Sequence, residues 1–109
     1  MALGYKRNFD EAISHFRTAI KINPRIPEIY NSLAVALAYT GKTDAAIVQL
    51  KKALEINPRF AKAHNTWGVM LAKSGKIDEG IDHLRKAVAI DPEYAEAKKN
   101  LELVLGTQK

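Results

Sequence analysis

Residues 53–60 read ALEINPRF, an apolar helical pattern that runs into Asn57-Pro58 and stops. Nearly the same ending occurs as AIKINPR at 19–25 and AVAIDPE at 87–93, so that prolines stand at 24, 58 and 92, 34 residues apart each time. Proline lacks an amide hydrogen and biases the residue before it away from the helical region, so each of these corners ends a helix. A fixed interval of this length marks a repeat architecture and has to be settled before any other feature is read.

Laid over one another without insertion, 27–60 and 61–94 pair Asn31 with Asn65, Val35 with Val69, Leu37 with Leu71 and Gly41 with Gly75. The match continues through Leu50/Leu84, Ala53/Ala87 and Pro58/Pro92. A copy lacking its first part fills 1–26, and a fourth begins at Ala95. Within a unit, Tyr30, Leu33, Ala34 and Leu37 form one stripe at helical spacing, and Ile47, Leu50 and Leu54 another. Gly41 and Gly75 stand between the stripes, where a helix C-cap needs a left-handed backbone. Asn8 and Glu11 read as a capping box opening the second helix of the incomplete first unit. Lys42 and Lys76 are poor caps, with Thr43 expected to take over in the middle unit. Small residues (Ala34/Gly68, Ala12/Ala46/Gly80, Ala19/Ala53/Ala87) fall where helices approach closely. Phe16/Leu50/Leu84 and Leu33/Trp67/Leu101 fill the space between them. One such hairpin cannot bury its apolar side alone, but stacked neighbours can.

On these residues the sequence resembles the tetratricopeptide repeat family, over about residues 1–105. The middle unit carries Tyr30, Leu33-Ala34, Gly41, Ala46, Leu50, Ala53 and Pro58; the next carries His64, Trp67-Gly68, Gly75, Gly80, Leu84, Ala87 and Pro92. Arg7 in place of a turn glycine, Thr43 in place of an aromatic and Gly80 in place of alanine depart from the pattern and are expected to weaken the fold locally. The resemblance implies an all-α, right-handed solenoid of antiparallel helix hairpins. It divides the chain into a partial repeat (1–26), two full repeats (27–60 and 61–94) and a capping helix with tail (95–109). Glu102 stands where Ala34 and Gly68 stand, and a carboxylate there would resist burial against a further helix. At the other end MALGYKR supplies at most two turns of a first helix, which leaves Ile13, Phe16 and Ile20 partly uncovered. The chain therefore reads as a fragment of a longer array, or as one whose open end pairs with another chain.

Composition narrows the function. The 109 residues include no cysteine, so disulfides and thiolate metal sites are excluded. No long apolar run or secretory leader is present, and a soluble, cytoplasmic protein without membrane insertion is expected. The formal charge is +5. Acidic residues (Asp10, Glu11, Asp44, Asp78, Glu79) collect toward expected helix starts and basic ones (Arg17, Lys21, Lys51, Lys52, Arg85, Lys86) toward the ends, opposing the macrodipole. His15 and His83 share a repeat position two units apart, and His64 reads as a packing histidine. Ser14, Ser32 and Ser74 have no histidine at an activating spacing. Gly41-Lys42-Thr43 lacks the upstream glycine of a phosphate loop. No catalytic site, metal or cofactor is expected.

What remains is recognition. In proteins similar to this one the first helix of each unit lines a concave groove that holds a peptide or partner helix. The matching positions are Glu28, Asn31, Ser32, Val35, Ala38 and Tyr39, then Lys62, Asn65, Thr66, Val69, Ala72 and Lys73, and in the last helix Glu96, Lys99, Asn100 and Leu103. An amide both donates and accepts, so Asn31 and Asn65 are suited to hold a main chain. A subtype of the family clamps the terminal carboxylate of heat-shock chaperones. Here Val35 and Thr66 stand where asparagines are wanted and Glu96 where lysine is wanted, so no clamp is expected. The competing readings are a basic ridge (Arg17/Lys51/Arg85 with Lys52/Lys86) for nucleic acid or an acidic surface, disfavoured because no aromatic platform is interleaved, and the recognition arm of a larger enzyme.

Overall fold

A computed structural model of the chain describes residues 2–107, with side chains from Asn8 onward. Among these residues are six helices and no strand: α1 (Ala2–Ile22), α2 (Pro27–Tyr39), α3 (Thr43–Ile56), α4 (Ala61–Lys73), α5 (Ile77–Ile90) and α6 (Ala95–Gly106). They form two compact units, Met1–Pro58 and Arg59–Lys109. In the first, α2 packs against both α1 and α3; in the second, α5 packs against α4 and α6, and α4 also touches α6.

The repeated corners form as the sequence requires. Helices α3 and α5 end one residue before the Asn-Pro and Asp-Pro steps, and Asn57 and Asp91 are extended, with φ/ψ of −137°/95° and −133°/91°. That is the conformation a following proline imposes. The Asx side chain braces the corner: Asn23 Oδ1 accepts from the Arg25 amide at 3.1 Å, and Asp91 Oδ1 from the Glu93 amide at 3.1 Å. At the other turns Gly41 and Gly75 have φ of +83° and +89°. The Lys42 amide then reaches Leu37 O at 2.9 Å and the Gly41 amide reaches Ala38 O at 3.0 Å, which satisfies carbonyls the helix would leave open.

Three expectations about local structure are corrected. Helix α1 runs unbroken from Ala2 to Ile22, with no turn at Arg7. A left-handed residue bearing a Cβ costs about 1–2 kcal/mol, so without glycine the chain continues as helix, and Asn8 lies inside α1 instead of capping a new one. Thr43 is the first residue of α3, not its cap; the N-caps of α3 and α5 are Lys42 and Lys76, neither with a side-chain cap hydrogen bond. The charge ordering is also looser than expected. Asp44, Asp78 and Glu79 do occupy first turns and Lys21 a last turn, but α3 and α5 carry no basic residue in their last turns. Lys51, Lys52, Arg85 and Lys86 therefore lie inward of the helix ends.

The core follows the sequence columns. Leu33, Leu37, Leu50 and Leu84 are less than 2% exposed, and Ala34, Ala46, Ala53, Ala63, Ala87 and Ala97 are fully buried. Removing each leucine side chain from water contributes about 1.5–3 kcal/mol. The seam between α4 and α5 is closest at two glycines. A Cβ on Gly80 would lie 2.7 Å from Gly68 O, and one on Gly68 would lie 2.7 Å from Leu84 Cγ and 2.8 Å from Gly80 O. Gly80, expected to weaken this hairpin, is instead what lets the two backbones meet.

Candidate functional site

Each set of expected groove residues recurs at intervals of three and four along its helix and so shares a face. On α2, Asn31, Ser32, Val35 and Ala38 are half-buried, while Glu28 and Tyr39 are exposed. The Tyr39 ring stacks on Phe9 of α1, with centroids 4.9 Å apart and planes within 4°. Tyr30, one residue before Asn31, faces inward and donates its hydroxyl to Pro24 O at 2.8 Å. On α4, Thr66, Val69 and Ala72 are half-buried and Lys62 and Lys73 exposed. Ala72 lies at the edge of this face toward α5, its methyl 3.3 Å from where a Cβ on Gly80 would sit. On α6, Glu96, Lys99 and Leu103 are exposed and Asn100 is half-buried.

The two asparagines, equivalent in sequence, differ in what they touch. Asn65 is only 6% exposed. Its carbonyl accepts from Asn100 Nδ2 at 3.0 Å, and its amide donates to the Tyr94 hydroxyl at 3.3 Å, tying α4 to α6. Burial, aided by the nearby Glu96 carboxylate, raises the Tyr94 pKa, and the hydrogen bond from Asn65 opposes this. In the first unit, by contrast, the Asn31 Oδ1 atom is buried with no hydrogen-bond partner among the described residues. A buried acceptor left open in this way costs about 1–3 kcal/mol.

A second cluster lies between α4 and α5. His64 is buried, as its packing role anticipates, but it also meets His83: the two Nδ1 atoms are 3.1 Å apart. The other face of the cluster is Trp67, stacked on His83 with centroids 4.3 Å apart. The His83 pKa is lowered to about 4, first by burial, then by electrostatic repulsion from His64 and Lys86, with Asp82 opposing. Repeat alignment grouped His83 with the exposed His15 and so missed this pair. Folding the chain back on itself at the turn would have found it, because the same antiparallel register that sets Gly68 on Gly80 sets 64 beside 83. Among the described residues, no group of three or more His, Cys, Asp or Glu side chains is placed to hold a metal. No helix among them is long and apolar enough to cross a membrane.

Family models described as tetratricopeptide repeat match residues 27–60 and 61–94, and a further TPR repeat model matches 5–41. The chain belongs to the tetratricopeptide repeat family. Solved tetratricopeptide domains share its all-α solenoid fold. The first TPR of Spaghetti (RPAP3), bound to the HSP90 peptide SRMEEVD, is 21% identical with a TM-score of 0.82, over 93% of this chain and 80% of that one. The Sgt2 TPR domain from Aspergillus fumigatus is 18% identical with a TM-score of 0.84, over 97% and 72%. The first TPR domain of human RPAP3 is 22% identical with a TM-score of 0.83, over 97% and 91%. Among curated protein sequences, none matches this tetratricopeptide chain significantly.

Proposed function

We propose that the chain is a non-catalytic protein-interaction scaffold that holds an extended peptide or a partner helix on the faces carrying its expected groove residues. In the first unit that face is α2, with Asn31, Ser32 and Val35; in the second it is α4 and α6, with Thr66, Val69 and Lys99. The observation that carries the reading is the open Asn31 Oδ1. Turned outward about its side-chain torsions, half-buried Asn31 would present this oxygen to a main-chain N–H of a bound peptide whatever side chains the peptide bears, and Val35 one turn on offers apolar contact. Asn65 has its amide engaged by Asn100 and Tyr94, so on this reading it shapes the second face and Asn31 does the holding. The similar RPAP3 domain with its HSP90 peptide supports a peptide ligand in general. On this reading the partner of this chain differs in kind, because Val35 and Thr66 stand where asparagines would hydrogen-bond a terminal carboxylate and Glu96 where a lysine would neutralise it.

The test is selection from a random peptide display library on the folded chain, followed by titration of a recovered peptide while amide chemical shifts are read. Shift changes concentrated at Asn31–Ala38 and Thr66–Lys73, and at least tenfold weaker binding by Asn31→Ala, are expected. Absence of any enriched peptide, or shifts confined to Arg17, Lys51 and Arg85, would overturn the reading.

A further inference from the structure

We propose that His64 and His83 form a site for a divalent transition-metal ion, with Cu(II) the preferred occupant. Two imidazole nitrogens face each other across the α4–α5 seam, Nδ1 to Nδ1, at 3.1 Å. Around a metal at about 2.0–2.1 Å from each nitrogen, that separation corresponds to an N–metal–N angle of about 98°, between the square-planar and tetrahedral values. Imidazole suits copper and zinc, and Cu(II) forms the tighter complexes in the divalent series. The rings are already inclined to one another by only 25°, with centroids 5.3 Å apart, and His83 is braced from behind by Trp67.

Without metal, one Nδ1–H donates to the other Nδ1. For an ion to enter, the donating ring moves its proton from Nδ1 to Nε2, so that both Nδ1 lone pairs are free. Both rings stay neutral and no electron is transferred. Asp82 favours positive charge at His83 and Lys86 opposes it, for any divalent ion alike. The two imidazoles provide two positions, and the half-exposed His83 is the side from which the ion and its remaining water ligands would approach. Such a site is an open, exchangeable one and not a structural metal centre of the closed, four-ligand kind.

Trp67 is the only tryptophan in the chain and is stacked on one proposed ligand, so it reports occupancy directly. The experiment adds Cu(II) alone to the intact chain and follows Trp67 emission, with Zn(II) as a non-quenching competitor. Saturable quenching at one equivalent, reversed only by a large excess of Zn(II) and lost in both His64→Gln and His83→Gln, is expected, and His15→Gln should leave it intact. Quenching that survives either seam substitution in a folded variant, or that never saturates, would overturn the assignment. If circular dichroism shows that the variants have lost helix, electron paramagnetic resonance of the Cu(II)-loaded wild-type chain decides. Coupling to two imidazole nitrogens supports the site, and coupling to one or none refutes it.

Discussion

Replacing Gly80 by alanine puts two ordinary rules in opposition. On an isolated helix, alanine is better than glycine by about 0.8–1.0 kcal/mol. In this chain the new methyl would lie 2.7 Å from Gly68 O, 3.1 Å from Ala72 N and 3.3 Å from Ala72 Cβ. Two of those three neighbours are backbone atoms, which cannot turn aside as a flexible side chain would. Overpacking of a closed seam typically costs about 1–3 kcal/mol. Taking the upper end because backbone must move, and subtracting the propensity gain, leaves a net loss of about 2 kcal/mol. That corresponds to a fall in Tm of about 8 °C or more for a chain of this size. The assay is urea unfolding followed by circular dichroism and by Trp67 emission. Gly68→Ala should behave alike. Gly106→Ala, where nothing lies within 4 Å of the added Cβ, is the control that should lose nothing. The double Gly68→Ala/Gly80→Ala variant should cost less than the sum, since one outward shift relieves both contacts. A Gly80→Ala protein at least as stable as wild type, with an unchanged denaturant slope, would refute the close-approach argument.

Four other outcomes are expected. Gly41→Ala and Gly75→Ala should each destabilise by about 1–2 kcal/mol, because both residues have positive φ, and thermal melts would show it. Asn65→Ala should destabilise by about 1–3 kcal/mol through the stranded Asn100 and Tyr94 groups, whereas Asn31→Ala, which removes a buried acceptor without a partner, should stabilise the free chain while weakening peptide binding; denaturation and titration together separate the two. Because the folded His83 pKa of about 4 lies below the ordinary 6.5, the unfolded chain takes up the proton first. Stability from this group is therefore fully present above about pH 6.5, falls as pH drops toward about 4, and loses that dependence in His83→Gln. Finally, the peptide SRMEEVD should bind weakly, and submicromolar binding abolished by Lys62→Ala would contradict the reading of Val35, Thr66 and Glu96.

The fold was legible because its decisive residues act locally. Pro58 and Pro92 stop helices by their own covalent structure, and Gly41 and Gly75 turn the chain by lacking a Cβ. The buried columns of Leu50 and Leu84 follow from spacing along one helix. The first unit was misread at Arg7 for the same reason in reverse: family register called for a turn there, while the residue itself had no means of making one. The candidate site was less legible because it depends on pairs from different helices. Nothing in the repeat register distinguishes Asn31 from Asn65, yet α6 and its N-cap supply Asn100 and Tyr94 to Asn65, while no described residue pairs with the Oδ1 of Asn31. The His64–His83 contact was hidden likewise, since alignment of repeats compares equivalent positions and the seam joins non-equivalent ones.

None of α2 to α6 begins with a side chain bonded over its first amides; Ile26, Lys42, Phe60, Lys76 and Tyr94 hold those places without doing so. Segments of 12 to 14 residues without such help are marginal in water by themselves. During synthesis, then, α2 should stay labile as it leaves the ribosome, supported by α1 alone and with Leu33 and Leu37 incompletely covered, until α3 has followed as far as Ile56. Translation would therefore release the structure in hairpin-sized steps, each awaiting its second half.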